Sequence, residues 1–231
     1  MGTNTQIKEC KPEEFHLEVL PHETQQAFDV YTKFEFLRSS GWYLAGGTAL
    51  ALQVGHRRSV DLDFFTEERT FDVEALERLL IELGDWTTTH AEKGTLYGLL
   101  LGAKTSFIAY PFFRPSGSYV QCGTIRILSP DDIAAMKIIA VSQRGKKRDF
   151  IDLYWYAAVH GASIEGAIRR AIAQYPEQEH SVAHFLKSLA YFNDAEDDPM
   201  PELRFKANWE EVKAYFRREL PPIAETLLEL K

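Results

Sequence analysis

The stretch "GGTALALQVGHRRSVDLDFF", Gly46 to Phe65, decides the reading of the chain. Its second half sets Asp61 and Asp63 inside a hydrophobic run. Strands disfavour Asp, whose side chain competes for backbone hydrogen bonds and is costly to bury. Alternation explains the pattern. Val60, Leu62 and Phe64 are expected on one face, in a core, with Asp61 and Asp63 on the other, about 7 Å apart at Cα. Carboxylates that close repel each other unless a cation sits between them, so the pair reads as a metal site or as an acidic solvent face. Two Mg²⁺ ions about 4 Å apart suit the spacing. The first half sets a Gly46–Gly47–Thr48 turn between a short strand, "WYLAGG", and a helix from Thr48 to Val54 closed by Gly55. Backbone N–H groups of Gly47 and Thr48 at that helix start can face an anion.

Further out, spacing predicts one helix over residues 22–39 and an amphipathic helix, "FDVEALERLLIEL", capped by Asp72. Strand-like runs follow in "WTTTHAEK", "TLYGLLLG", "KTSFIAYPFF" and "GTIRILSP". After Ser129 nearly everything reads as helix. "SPDDIAAMKIIAVSQRG" opens with proline at the first helical position, and "KKRDFIDLYWYAAVHG" follows. Four more helices are expected, the last two being "NWEEVKAYFRREL" and "PPIAETLLELK". The fold class is therefore α+β with a mixed sheet, an α+β domain over 1–128 and a helical domain over 129–231. Residues 193–201 are the longest stretch expected to lack structure.

In "IAAMKIIAV", Lys137 alone carries a charge. It either reaches solvent or meets an anion. Arg148 and Asp152 stand four apart and fit a helix-surface ion pair, while Asp149 and Asp152 share a face.

Composition excludes several classes. No apolar run reaches the roughly 18 residues of a membrane span, and the first residues lack a secretory apolar core. A net charge of −8 argues against a general nucleic-acid clamp. The basic clusters His56–Arg58 and Arg144–Arg148 read as solvated surface. Cys10 and Cys122 form no metal spacing, and the cytoplasm is the expected compartment. His56, His90 and His160 read as surface or capping residues, and no nucleophile motif appears.

The Gly-Gly turn followed by Asp-x-Asp resembles the signature of DNA polymerase β-like nucleotidyltransferases. With "MKIIAVSQRGKKRDFIDLY", it resembles more narrowly the AbiEii/AbiGii toxin family, over about Phe34 to Tyr156. The helices after residue 160 carry no resemblance of their own. The resemblance implies an enzyme that moves a nucleoside monophosphate from an NTP to an acceptor, either an RNA such as a tRNA end or a protein. It implies Mg²⁺ on Asp61 and Asp63. Gly46, Gly47, Thr48, Ser59, Lys137 and Arg148 would bind the nucleotide's phosphates, with the helical half contributing to the site. It also implies the toxin half of a toxin–antitoxin pair, with a cognate antitoxin. Many superfamily members carry a third carboxylate on a later strand. The expected equivalent here, "KTSFIAY", offers Thr105 and Ser106 but no acid. Asp152 or Asp149 would then serve as base, with Glu92 a weaker choice, or the chemistry would need only the two strand carboxylates. The alternative is an impaired nucleotide-binding regulatory protein of the same fold.

Overall fold

The computed structural model describes residues 6–9, 12–177 and 181–228. Cys10 lies outside them. The chain divides into two compact units between Ser129 and Pro130.

The first unit is built on one mixed eight-stranded sheet. Its strands are β1 (Gln6–Glu9), β2 (Tyr43–Ala45), β3 (Leu62–Thr66), β4 (Trp86–Glu92), β5 (Thr95–Leu100), β6 (Ala103–Ala109), β7 (Ser118–Cys122) and β8 (Ile125–Leu128). They lie in the order β1-β7-β8-β2-β3-β6-β5-β4. β3 sits centrally, antiparallel to β2 and parallel to β6. β4 forms one edge, and its register slips between Thr88 and His90. Leu62, Phe64, Leu96 and Phe107 are buried on one face, where Phe64 stacks on Phe107 with centroids 4.9 Å apart. Tyr31 meets Phe64 edge-on at 5.0 Å.

Three local readings are corrected here. The run over 22–39 is two helices, α1 (His22–Tyr31) and α2 (Glu35–Ser39). A continuous helix would need the Tyr31 and Thr32 carbonyls for its own ladder. Instead the Tyr31 carbonyl accepts from the Phe34 N–H at 3.1 Å in a tight turn and from the Thr124 hydroxyl at 2.7 Å, and the Thr32 carbonyl accepts from the Thr124 N–H at 2.9 Å. The strand carrying the acidic pair begins at Leu62, so Val60 is not a core residue and stands 45% exposed. Its carbonyl accepts from the Thr24 hydroxyl at 3.0 Å, and the Ser59 N–H donates to Val19 at 3.1 Å. These bonds hold the segment to chain ahead of it rather than to the sheet. His56 and Arg57, which were expected at the surface, are buried. β1 and β7 carried no strand reading.

Helix α3 (Gly46–Val54) starts at Gly46 itself, two residues earlier than expected, and ends at Gly55 in the left-handed conformation. Helix α4 (Val73–Leu83) is capped by Asp72, whose carboxylate accepts from the Ala75 N–H at 2.9 Å.

The second unit is helical. Helix α5 (Pro130–Arg144) opens on its proline, and α6 (Lys147–Tyr154) runs into a π-helical turn, Trp155–Val159. Then come α7 (Ile164–Gln174), α8 (Val182–Leu189), α9 (Asn193–Glu196) and α10 (Trp209–Leu228). The two segments split at Pro221–Pro222 by sequence reading are one helix, α10. The acidic loop is not structureless either. It contains α9, and Lys147 holds it by donating its ammonium to the Glu196 carbonyl at 3.0 Å and to the Asp198 carbonyl. The Lys147 N–H also donates to the Asp198 carboxylate at 3.0 Å. Lys147 is therefore buried, not part of a solvated basic surface.

Candidate nucleotide and metal site

In the first unit the site is assembled by the register of three strands. Asp63 pairs with Ala45 on one side and Ser106 on the other. Ala45 is the last residue of β2 and precedes α3, so the Gly-Gly turn is delivered directly beside Asp63. Gly46 has φ +74, and a Cβ placed on it would lie 3.2 Å from Asp63 Oδ2. Glycine is required there twice, for the left-handed backbone and for the close approach of the carboxylate.

The start of α3 suits an anion. Ala45 offers no capping oxygen, and the first N–H groups of a helix have no carbonyl within it. Thr48 is buried beneath this turn, its hydroxyl 2.8 Å from that of Ser59. Arg57 donates to the Ser59 hydroxyl at 3.3 Å and to the Arg58 carbonyl at 3.0 Å. Thus Thr48 and Ser59, both singled out by sequence, support one another, and Arg57, read as surface, is buried with them.

Asp61 and Asp63 are both half-buried. Asp61 immediately precedes β3, and Asp63 lies within it. Among the described residues no three His, Cys, Asp or Glu side chains gather to hold a metal unaided. A pair of hard oxygen donors beside an anion-facing turn fits Mg²⁺, which binds through one or two carboxylates plus phosphate oxygens and keeps several waters. The donor set suits an ion that arrives with a nucleotide.

The sheet face carrying Asp63 continues through Ser106, Tyr97 and His90, which occupy successive positions along one row. The Ser106 hydroxyl donates to Asp63 Oδ1. Tyr97 is 39% exposed, and burial, then the charges of Asp63 and Glu92, push its hydroxyl pKa up. His90 packs against the Tyr97 ring with centroids 5.7 Å apart, and Glu92 is exposed 3.4 Å from His90 Nε2. Tyr97 escaped sequence reasoning, and Ser106 was named only as standing where a third acid was expected, because only strand register aligns them with Asp63.

In the second unit Lys137 meets an anion, the second of the two routes foreseen for it, and the anions are carboxylates of its own chain. It is buried, and its ammonium lies 2.6 Å from Asp149 Oδ1 and 2.7 Å from Asp152 Oδ2. Both carboxylates are fully buried. Arg144 adds a bond to Asp149 Oδ2 at 3.0 Å. Burial pushes the Asp149 carboxyl up, but Lys137 and Arg144 more than reverse this and hold it below the usual carboxylate range. The cluster is a buried cation shared between two carboxylates. A general base needs an oxygen open to its substrate, and these are sealed and occupied, so the base expected of Asp149 or Asp152 is not supported. Arg148 is exposed on α6.

The family model described as "Nucleotidyl transferase AbiEii toxin, Type IV TA system" matches residues 35–96 and 107–229, and so extends through the C-terminal helices that carried no resemblance of their own. An uncharacterized protein of Aquifex aeolicus, aq_aa25, is 36% identical over 187 residues, covering 80% of this chain and 88% of the relative. Among solved structures, JHP933 from Helicobacter pylori superposes with a TM-score of 0.49 at 14% identity, covering 91% of this chain and 96% of that one. The chain belongs to the AbiEii toxin family and is a nucleotidyltransferase.

Proposed function

We propose that this nucleotidyltransferase moves a nucleoside monophosphate from an NTP to an acceptor hydroxyl, on an RNA such as a tRNA end or on a protein, with Mg²⁺. The observation that carries the reading is the apposition of Asp63 Oδ2 and Gly46, which brings a carboxylate beside the Gly-Gly turn that opens α3. The first N–H groups of α3 hold the polyphosphate, with Gly46, Gly47 and Thr48 forming the turn and Ser59 and Arg57 bracing it. Asp61 and Asp63 hold the ion, which when bound offsets phosphate charge. Their role is to fix the polyphosphate so that its α-phosphorus faces the acceptor. The acceptor oxygen then forms a bond to that phosphorus as the bridging P–O bond between the α- and β-phosphates breaks, pyrophosphate leaves with that bond's electron pair, and the hydroxyl proton passes to solvent water. Lys137, Asp149 and Asp152 serve as a scaffold for α5 and α6.

The family's name points to the toxin half of a toxin–antitoxin system, so a cognate antitoxin is the proposed protein partner and the cytoplasm the proposed compartment. No helix among the described residues is long and apolar enough to cross a membrane. Purified protein incubated with each labelled NTP, Mg²⁺ and total cell RNA and protein tests the reading. Label should appear in one macromolecular fraction, and the absence of transfer with every NTP would overturn it. Ser106, standing where a third acid is expected, favours one second reading: a protein that binds nucleotide without transferring it. Tight NTP·Mg²⁺ binding without turnover is its signature.

A further inference from the structure

The geometry points to Ser106 as a positioning residue for the metal-holding carboxylate. Its hydroxyl fixes Asp63 Oδ1 and so aims Oδ2 at the phosphate turn. This rests on the proposed nucleotide and metal site and deepens it.

Three observations converge. Register pairs Ser106 directly with Asp63 across parallel strands β3 and β6, which puts both side chains on one face. The Ser106 hydroxyl donates to Oδ1. The other oxygen, Oδ2, is the one 3.2 Å from the Cβ position of Gly46. The two oxygens of one carboxylate therefore have separate tasks. Ser106 is itself almost fully buried, and its neighbour Thr105 points to the opposite, core face. A donor at this place acts differently from an acid. A third carboxylate beside Asp63 would repel it until a cation arrived. A hydroxyl instead attracts Asp63 and holds its rotamer before any ion binds. Outer partners that orient a metal ligand typically contribute 10- to 100-fold to metal affinity or activity.

The test measures Mn²⁺ binding by electron paramagnetic resonance, with a non-hydrolysable NTP present, on the full chain. Ser106→Ala should bind Mn²⁺ about 10-fold more weakly or worse. Its metal-free thermal midpoint should stay near that of the parent protein. Ser106→Thr, which keeps the hydroxyl, should restore most of the affinity. In turnover, Ser106→Ala should lower kcat with less change in KM for the NTP. If Ser106→Ala does not fold, Ser106→Cys keeps the volume, weakens the donor and should show the same loss. Parent-like Mn²⁺ affinity in Ser106→Ala, with binding abolished in Asp63→Asn, overturns the role of Ser106 and leaves the metal site standing. No Mn²⁺-dependent nucleotide binding in the parent protein itself overturns both.

Discussion

Gly46 concentrates two constraints in one residue, a left-handed backbone and a carboxylate oxygen closer than ordinary van der Waals contact to where a Cβ would sit. Gly46→Ala should cost about 1 kcal/mol of stability from the backbone alone. It should also push Asp63 aside and weaken NTP·Mg²⁺ binding, measured by calorimetry. Asp63→Asn should remove that binding while the thermal midpoint changes little. Lys137 behaves oppositely. Lys137→Met leaves two buried carboxylates without their shared cation, a loss of about 3–5 kcal/mol. The pH dependence has a definite sign. In the parent protein the Asp149 pKa is depressed, so its contribution is complete above the unfolded value of about 3.9 and is lost as pH falls through the folded one. In Lys137→Met the largest lowering influence on Asp149 is gone and burial, which raises its pKa, regains weight. Denaturant unfolding should therefore show the largest deficit at neutral pH and a smaller one near pH 5. The side of the sheet that Asp63 takes was legible because a strand's two-residue period separates it from Leu62 and Phe64, whereas Asp61 precedes the strand and lies outside that period. The partners of Lys137 were not, because a buried lysine looks the same in sequence whether it meets a substrate or its own carboxylates.

At the scale of elements, local signals carried what was local. Asp72, Gly55 and Pro130 mark the helix ends they were read to mark. Two of the errors share one cause, bonds from chain distant in sequence. Thr124 divides α1 from α2 across about ninety positions, and nothing in residues 22–39 announces it. Lys147 orders the acidic loop from fifty positions away. The loop supplies a further test. Asp198 accepts from both the Lys147 N–H and the Lys146 ammonium, at 3.0 and 3.2 Å. Asp198→Ala should release that clamp and expose residues 197–201 to limited proteolysis, with cleavage faster than in the parent protein and the helices intact.

For the whole molecule, the division at Ser129–Pro130 was visible as a change of texture from alternating strands to helical periodicity. The order of the eight strands was not. It places β3 between β2 and β6 through register alone, and the candidate site follows from that order. A ligand that binds only the folded protein stabilises it by mass action, about 2.7 kcal/mol at a hundred times Kd. NTP with Mg²⁺ should raise the thermal midpoint accordingly in the parent protein and leave the double variant Asp61→Asn, Asp63→Asn unmoved. The slipped register at the outer strand has a consequence of another kind. An open sheet offers its last strand as a template for a foreign strand, and β4 is such a strand. The extra residue between Thr88 and His90 interrupts the row of free backbone groups and twists the strand away from flatness. Deleting Thr89 would make that rim regular. The shortened protein should form fibrils or amorphous precipitate on gentle warming, seen as rising light scattering before the parent protein becomes turbid.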